Sequence, residues 1–156
     1  MRLTTRAVLL APVLIVLAGC AQAVALEPAV DAANPACAEV SVRLPELVDD
    51  LPSRETNAQA TGAWGETRSG VILRCGVPSP DPTAELPCVT VDGIDWLRDD
   101  AKDPYFAFTT YGRSPAVEVV VDSETASALS ALTDLAGAVG TLPSDGGKCQ
   151  ALEDVL

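Results

Sequence analysis

Carboxylates are the most numerous side chains in this sequence that commonly do acid–base or metal chemistry. The chain has 22 acidic residues against 10 basic ones in 156, a net charge of −12, and no histidine. The absence of histidine excludes serine–histidine and cysteine–histidine catalysis and most zinc sites. Five aspartates crowd one stretch in which Ca²⁺ could find oxygen ligands: Asp92, Asp95, Asp99, Asp100 and Asp103. Their spacing fits no EF-hand loop, so we expect a solvated acidic loop, with no metal and no cofactor.

Paired carboxylates could also serve a glycoside hydrolase, which needs two of them about 5–9.5 Å apart. With 22 acidic residues, such pairs arise by chance. Gly146-Gly147-Lys148 ends like a phosphate-binding loop, but the first glycine and the hydroxyl residue of that loop are missing. We therefore predict no catalytic residue and expect that the protein is not an enzyme. A small wall-acting hydrolase or carbohydrate-binding module is the alternative, with aromatic side chains stacking on sugars: Trp64, Trp96, Tyr105 and Tyr111.

The first 26 residues have the pattern of a bacterial secretory signal. Arg2 and Arg6 precede an uncharged stretch, residues 7–18, and Leu17-Ala18-Gly19-Cys20 matches a lipobox. In that motif the cysteine is diacylated and becomes the first residue of the mature protein. The pattern predicts a signal peptide over residues 1–19 and a chain anchored through Cys20 on the outer face of the cytoplasmic membrane. An uncleaved transmembrane anchor over residues 7–26 is the alternative, and it also places the remainder outside the cytoplasm.

Cleavage before Cys20 would leave 137 residues with 8 basic and 22 acidic side chains, a net charge of −14. Such a charge argues against nucleic acid, or an anionic membrane surface, as an electrostatic partner. Residues 20–33 are Ala-rich without periodicity and are predicted to form a flexible tether behind the lipidated cysteine. Residues 34–156 are long enough for a single extracytoplasmic domain with a hydrophobic core.

Four cysteines remain after Cys20, and outside the cytoplasm an even number indicates disulfides. Cys75 and Cys88 flank a proline-rich loop that we expect to join two adjacent strands. This placement predicts a Cys75–Cys88 bridge and leaves Cys37 and Cys149 as the second pair.

The apolar pattern predicts an α+β domain in which a small antiparallel sheet of about four to five strands carries an N-terminal and a C-terminal helix on one face. Asn34 and Pro35 mark a helix start, and Pro45 either ends that helix or opens a second short one through Leu51. Residues 52–69 are expected to be irregular. The remaining predicted elements are strands at 71–77, 88–91, 94–97, 105–111 and 116–121, an acidic loop at 99–103, and a helix capped by Asp122-Ser123 and ending near 139.

Three residues are candidates for a binding surface: Tyr111, Arg113 and Trp64. Tyr111 and Arg113 lie at the predicted tip of the 105–121 hairpin, and Tyr and Arg are enriched at binding surfaces. The structural alternative is that Gly112 supplies a positive φ, Arg113 pairs with a nearby aspartate and Trp64 fills the core.

A set of motifs in fixed order resembles an uncharacterised family of actinobacterial cell-envelope lipoproteins. These are Trp64-Gly65, Leu73-Arg74-Cys75-Gly76-Val77-Pro78, Val91-Asp92-Gly93-Ile94-Asp95-Trp96 and the run Thr110-Tyr111-Gly112-Arg113-Ser114-Pro115-Ala116-Val117-Glu118-Val119. The resemblance implies a cell-envelope location and an actinobacterial source, and it brings no catalytic residues. We expect a non-catalytic binding or scaffolding module whose partner is an envelope protein or a wall polymer.

Overall fold

The computed structural model describes residues 22–66, 69–81 and 85–150. The predicted signal peptide and Cys20 lie outside the described residues. In the described part of the chain, no helix is long and apolar enough to cross a bilayer. The elements in chain order are α1 (Pro35–Ser41), β1 (Leu47–Val48), β2 (Leu51–Arg54), β3 (Thr61–Trp64), β4 (Val71–Val77), β5 (Cys88–Val91), β6 (Ile94–Lys102), β7 (Tyr105–Tyr111), β8 (Ala116–Asp122) and α2 (Ala128–Val139).

All eight strands form one antiparallel sheet in the order β1-β2-β3-β4-β8-β7-β6-β5. The first four strands form one meander and the last four form another. The two meanders join where β4 pairs with β8, with Leu73 opposite Val119. The proline-rich segment between β4 and β5 therefore does not close a hairpin, because it carries the chain from the middle of the sheet to its edge.

The core lies between the sheet and α2. Alternate residues of β4 and β8 point to this inner face and are fully buried: Val71, Leu73, Cys75, Val117, Val119 and Val121. The buried side of α2 meets them with small and branched residues, among them Leu132 and Leu135. Helix α2 contacts β8 in the middle of the sheet and also both edge strands, β1 and β5. The sheet is therefore curved around α2.

The predicted sheet of four to five strands with helices on one face is wrong, because eight strands form the sheet. Of the two alternatives for Pro45, the second short helix through Leu51 is wrong, because this stretch enters the β1–β2 hairpin. The turn residues of that hairpin, Asp49 and Asp50, adopt positive φ angles of 49° and 60°. The stretch expected to be irregular contains the rest of β2 and all of β3. In β3, the ring of Trp64 and the side chain of Leu44 occupy the space that a Cβ at Gly62 would need.

The predictions for α1 and α2 are confirmed only in part, and the one for the acidic stretch is not. Asn34 caps α1 as predicted, with its Oδ1 accepting from the Ala36 amide at 3.0 Å, although α1 ends at Ser41. The expected acidic loop is wrong, since β6 runs through Asp99 and Asp100 to Lys102 and pairs with β7, with a shift of register between Asp99 and Lys102. Helix α2 begins later than predicted and is capped by Ser127.

All four cysteines of the domain form disulfides, Cys37–Cys75 and Cys88–Cys149, so the predicted pairing is wrong. Three strands lie between β4 and β5. At about 4.8 Å per strand, Cys75 and Cys88 are roughly 19 Å apart across the sheet, and a disulfide requires Cα atoms within about 7 Å. Cys75 also points to the inner face, where it is fully buried against Cys37 of α1.

Candidate binding surface

Trp64 does not share a surface with the other two candidates. It lies opposite Val71, and the same row continues through Val121 to Phe106 at one end of the sheet. Tyr111 is five residues further along β7, at the other end. Trp64 is 1% exposed, and its Nε1 donates to the Pro45 carbonyl at 2.9 Å. Trp64 is therefore a core residue that no partner can touch in this conformation.

Arg113 is used to hold the end of α2. Its Nη1 donates to the carbonyl of Leu142 at 2.6 Å and, more weakly, to that of Gly140 at 3.4 Å. A cation at a helix C-terminus is favourable because unpaired carbonyls concentrate negative charge there. The expected partner of Arg113 in the structural alternative was an aspartate, and the observed partners are main-chain carbonyls.

The tip of the β7–β8 hairpin is covered. Gly112 has a φ of 74° and its carbonyl accepts from the Asp145 amide at 2.9 Å. A Cβ added to Gly112 would lie 1.9 Å from the Gly147 carbonyl oxygen. On the other side, Ser79 Oγ donates to the Arg113 carbonyl at 2.9 Å. The segment after α2 and the proline-rich segment thus enclose the tip, which does not project to meet a partner.

Tyr111 remains on an accessible surface, the face of the sheet turned away from α2. We call this surface the outer face and define it by side chains of the three central strands. Each of these side chains is partly exposed. The outer face consists of Ile72, Arg74, Ala107, Thr109, Tyr111, Glu118 and Val120.

An ion pair lies at the centre of the outer face. Arg74 Nη2 and Nε both donate to Glu118 Oε1, at 2.5 and 3.1 Å, across the β4–β8 pairing. Glu118 is also directly opposite Thr109. Two β-branched side chains, Ile72 and Val120, flank the pair as the next row of the same face. The outer face is therefore of mixed chemistry, with one guanidinium, one carboxylate, one phenol ring and an apolar row.

The acidic cluster does not converge on a common point. Asp95 lies beside Tyr111, and its carboxylate accepts from Thr90 Oγ1 at 2.5 Å and from the Cys149 amide at 3.2 Å. Asp99 accepts from the Ala101 amide, and Asp100 pairs with Arg98 at 3.2 Å. Over residues 22–66, 69–81 and 85–150, no three acidic or cysteine side chains are grouped so as to hold a metal ion. Asp95 instead ties the C-terminal segment to the β5–β6 hairpin.

Two shallow clefts lie outside the three strands that define the outer face. One, of about 240 Å³, is lined mainly by residues 44–46 and by β2 and β3. The other, of about 280 Å³, is lined by residues 32–34, the end of α1, Val42, and Gln59 and Ala60. Both are smaller than the roughly 300–1,000 Å³ pockets that hold small molecules. Of these surfaces, the outer face is the one suited to a macromolecular partner.

Two motifs singled out from the sequence contain both members of the ion pair, but neither motif predicts that the two residues meet. Arg74 and Glu118 each belong to a motif that carries the family resemblance, but they are 44 residues apart. Only the unforeseen β4–β8 pairing brings them together.

A curved antiparallel sheet packed on α2 and closed by two disulfides defines the class as a small disulfide-bonded β-rich domain. The chain belongs to a family described as Protein of unknown function (DUF3515), whose sequence model matches residues 4–146. No curated protein and no solved structure matches the chain.

Proposed function

We propose that this chain is a lipid-anchored extracytoplasmic module of the cell envelope that binds a protein partner through its outer face. The observation that carries the location is that all four domain cysteines are paired in two disulfides. Disulfides persist in oxidising compartments and are rare in the cytosol. The lipobox at Cys20 supports an anchor on the outer side of the cytoplasmic membrane.

The binding role is supported by the composition and shape of the outer face. Protein interfaces combine an aromatic or arginine anchor with apolar area and a polar surround. Tyr111 supplies the aromatic anchor, Ile72 and Val120 supply apolar area, and Arg74 is held in place by Glu118. An arginine with a fixed orientation loses less side-chain entropy when it also contacts a partner.

The anchor is tested by metabolic labelling with a fatty-acid probe. Wild-type protein should carry the label, and Cys20→Ala should carry none and remain at precursor mass, because the thiol is the acylation point. A labelled Cys20→Ala protein, or an unlabelled wild type, contradicts the lipoprotein assignment.

The binding face is tested by cross-linking in the native membrane with Tyr111→Ala. The matched control is Leu129→Ala, which removes a side chain that is 67% exposed on α2. Tyr111→Ala should lose partner capture, by a binding loss of about 2 kcal/mol or more for an interface anchor. Its melting temperature should stay close to that of the control, which should retain capture. Equal capture by both variants argues against the outer face.

The alternative of a wall-acting module is retained because Tyr111 offers an accessible ring for stacking on a sugar. Sedimentation with purified peptidoglycan distinguishes the two. Tyr111-dependent co-sedimentation, without a captured protein, would favour a carbohydrate partner over a protein partner.

A further inference from the structure

The segment after Cys20 is bonded to the folded domain from Val24 onward, although its Ala-rich composition predicts a flexible tether over residues 20–33. Val24 pairs with Thr56 as a parallel bridge, its amide donating to the Glu55 carbonyl at 2.8 Å and its carbonyl accepting from the Asn57 amide at 3.2 Å. The Leu26 amide then donates to Asn57 Oδ1 at 2.7 Å. Further along, the Asp31 amide donates to the Gly76 carbonyl at 3.0 Å. The segment after Val24 is therefore bonded to the domain at several points.

This attachment limits the distance between the anchor and the domain. Only residues 21–23 separate Cys20 from Val24. An extended chain spans at most about 3.6 Å per residue, so the Cα atoms of Cys20 and Val24 are within roughly 14 Å of each other. If Cys20 is acylated as proposed above, its Cα lies at the level of the lipid headgroups. The part of the domain around Val24 must then lie next to the bilayer.

The two most exposed apolar side chains among the large hydrophobic residues described are Val30 and Val42. Val30 lies in the segment between Leu26 and Asp31, both of which are bonded to the domain. Val30 is 88% exposed and Val42 is 78% exposed. Val42 lines the 280 Å³ cleft together with Ala33 and Gln59. Gln59 is two residues beyond Asn57, which binds Leu26, so the cleft and the attachment point belong to one region. We call this region the anchor-side surface: Val30, Ala33, Val42 and Gln59.

We propose that the anchor-side surface rests on the lipid bilayer, which fixes the orientation of the domain on the membrane. This inference depends on the proposed acylation of Cys20. The short connection holds this surface close to the bilayer. The two valines favour the contact because it removes their apolar surface from water. Charge does not drive it, since Glu27 and Asp31 are exposed in the same segment and would be repelled by anionic headgroups.

A fluorescent amino acid at position 42, introduced without a new thiol, tests the proposal in acylated protein on phosphatidylcholine vesicles containing brominated lipid. The control position is Lys102, which is exposed at the far end of the sheet. Lys102 pairs with Tyr105, which pairs in turn with Asp122 at one end of the sheet. The loop that contains Gln59 meets the sheet at the opposite end, where the Cys75 amide donates to the Ala60 carbonyl. We expect quenching at position 42 to exceed that at position 102 by at least a factor of two, with no increase when anionic lipid is added.

A second variant lengthens the connection by inserting ten Gly/Ser residues between Cys20 and Val24. It should still float with the vesicles, but the difference in quenching between positions 42 and 102 should shrink. Wild-type protein that floats and is quenched equally at both positions overturns the orientation and leaves the anchor intact. Protein that does not float with vesicles at all overturns the anchor, and the orientation with it.

Discussion

At the scale of single residues, side chains that look suited to binding are used to hold the fold together. Arg113 illustrates this, since a guanidinium beside an aromatic ring on a predicted turn indicates a contact residue. Its side chain instead reaches the carbonyls of Gly140 and Leu142. This use could not be predicted from the sequence, because it depends on where α2 ends in space. Tyr111 is the candidate that remains accessible.

Replacing Arg113 should therefore destabilise the domain. Arg113→Ala removes a charged donor from the carbonyls at the end of α2, and hydrogen bonds to charged groups contribute about 1.5–3 kcal/mol. We expect a loss of about 1–2 kcal/mol in the free energy of unfolding, measured by urea denaturation. Lys102→Ala is the control, because Lys102 is an exposed cation on β6, and surface substitutions change stability by about 0.5 kcal/mol or less. Equal losses in the two variants would contradict the helix-end role.

Glycine at position 112 should be far less replaceable than glycine at position 93. Both have positive φ angles, 74° and 75°, so an alanine costs about 1–2 kcal/mol of backbone strain at either position. A Cβ at Gly93 meets nothing within 4 Å, whereas at Gly112 it would collide with Gly147. Thermal melts should show Gly93→Ala moderately destabilised and Gly112→Ala much more so, or unable to fold. Similar melting temperatures would mean that the C-terminal segment does not cover the hairpin tip.

At the scale of elements, the local sequence pattern was sufficient to predict strands β4, β5, β7 and β8, but it did not predict β1, β2 or β3. The former have β-branched or aromatic residues and clear turn residues at their ends, so their predicted bounds agree with the structure to within a residue. In β3, Gly62 and Ala63 separate two strand-favouring residues, Thr61 and Trp64, and β2 contains Pro52, so the strand propensity of each segment is interrupted. They become strands because Trp64 must be buried and the edge of β4 must be paired, which are tertiary requirements. The disulfide pairing failed for a related reason, since it required the strand order.

The two disulfides should differ in how easily they are reduced. Cys37 and Cys75 are both fully buried, whereas Cys88 and Cys149 are partly exposed. Thiolate attack requires access to a sulfur atom, so mild dithiothreitol under native conditions should open Cys88–Cys149 first. Alkylation of the released thiols followed by peptide mapping checks both the order and the pairing. Release of Cys37 and Cys75 first, or recovery of a Cys75–Cys88 peptide from unreduced protein, would contradict the structure.

Removing either bridge should have a similar entropic cost to the stability of the domain, because the unfolded chain gains a similar conformational entropy in both cases. The bridges join residues 38 and 61 positions apart, which in the chain-entropy model corresponds to roughly 4 kcal/mol for each. The Cys37–Cys75 bridge additionally fills space in the core. The Cys37→Ala/Cys75→Ala double variant should therefore be less stable in urea than Cys88→Ala/Cys149→Ala. The reverse order would indicate that the C-terminal segment contributes more than the core bridge.

At the scale of the whole molecule, charge is the dominant feature. The mature chain would carry −14, because its 22 acidic side chains far outnumber its 8 basic ones. Among the described residues, Arg43–Glu39, Arg74–Glu118 and Arg98–Asp100 form ion pairs. Most of the negative charge is therefore not balanced locally, and mutual repulsion opposes the compact state.

Salt should therefore stabilise the domain. Raising NaCl from about 10 mM to about 150 mM shortens the Debye length from roughly 30 Å to roughly 8 Å. The melting temperature of the mature chain should rise over this range, because repulsion between distant carboxylates is screened. A neutral osmolyte at equal osmolarity is the control and should produce a smaller rise. A melting temperature that is unchanged or lower in salt would show that long-range repulsion does not limit stability.

The contact of α2 with both edges of the sheet would have a consequence at high density on a membrane, where the proposed anchor would place the protein. An unpaired strand edge is a template on which another chain can add a strand, and anchored proteins meet one another often because they diffuse in two dimensions. Here β1 has two residues and β5 has four, and α2 lies against both. Adding a strand at either edge would gain few main-chain hydrogen bonds. Crowded copies of this domain should therefore remain separate instead of polymerising edge to edge.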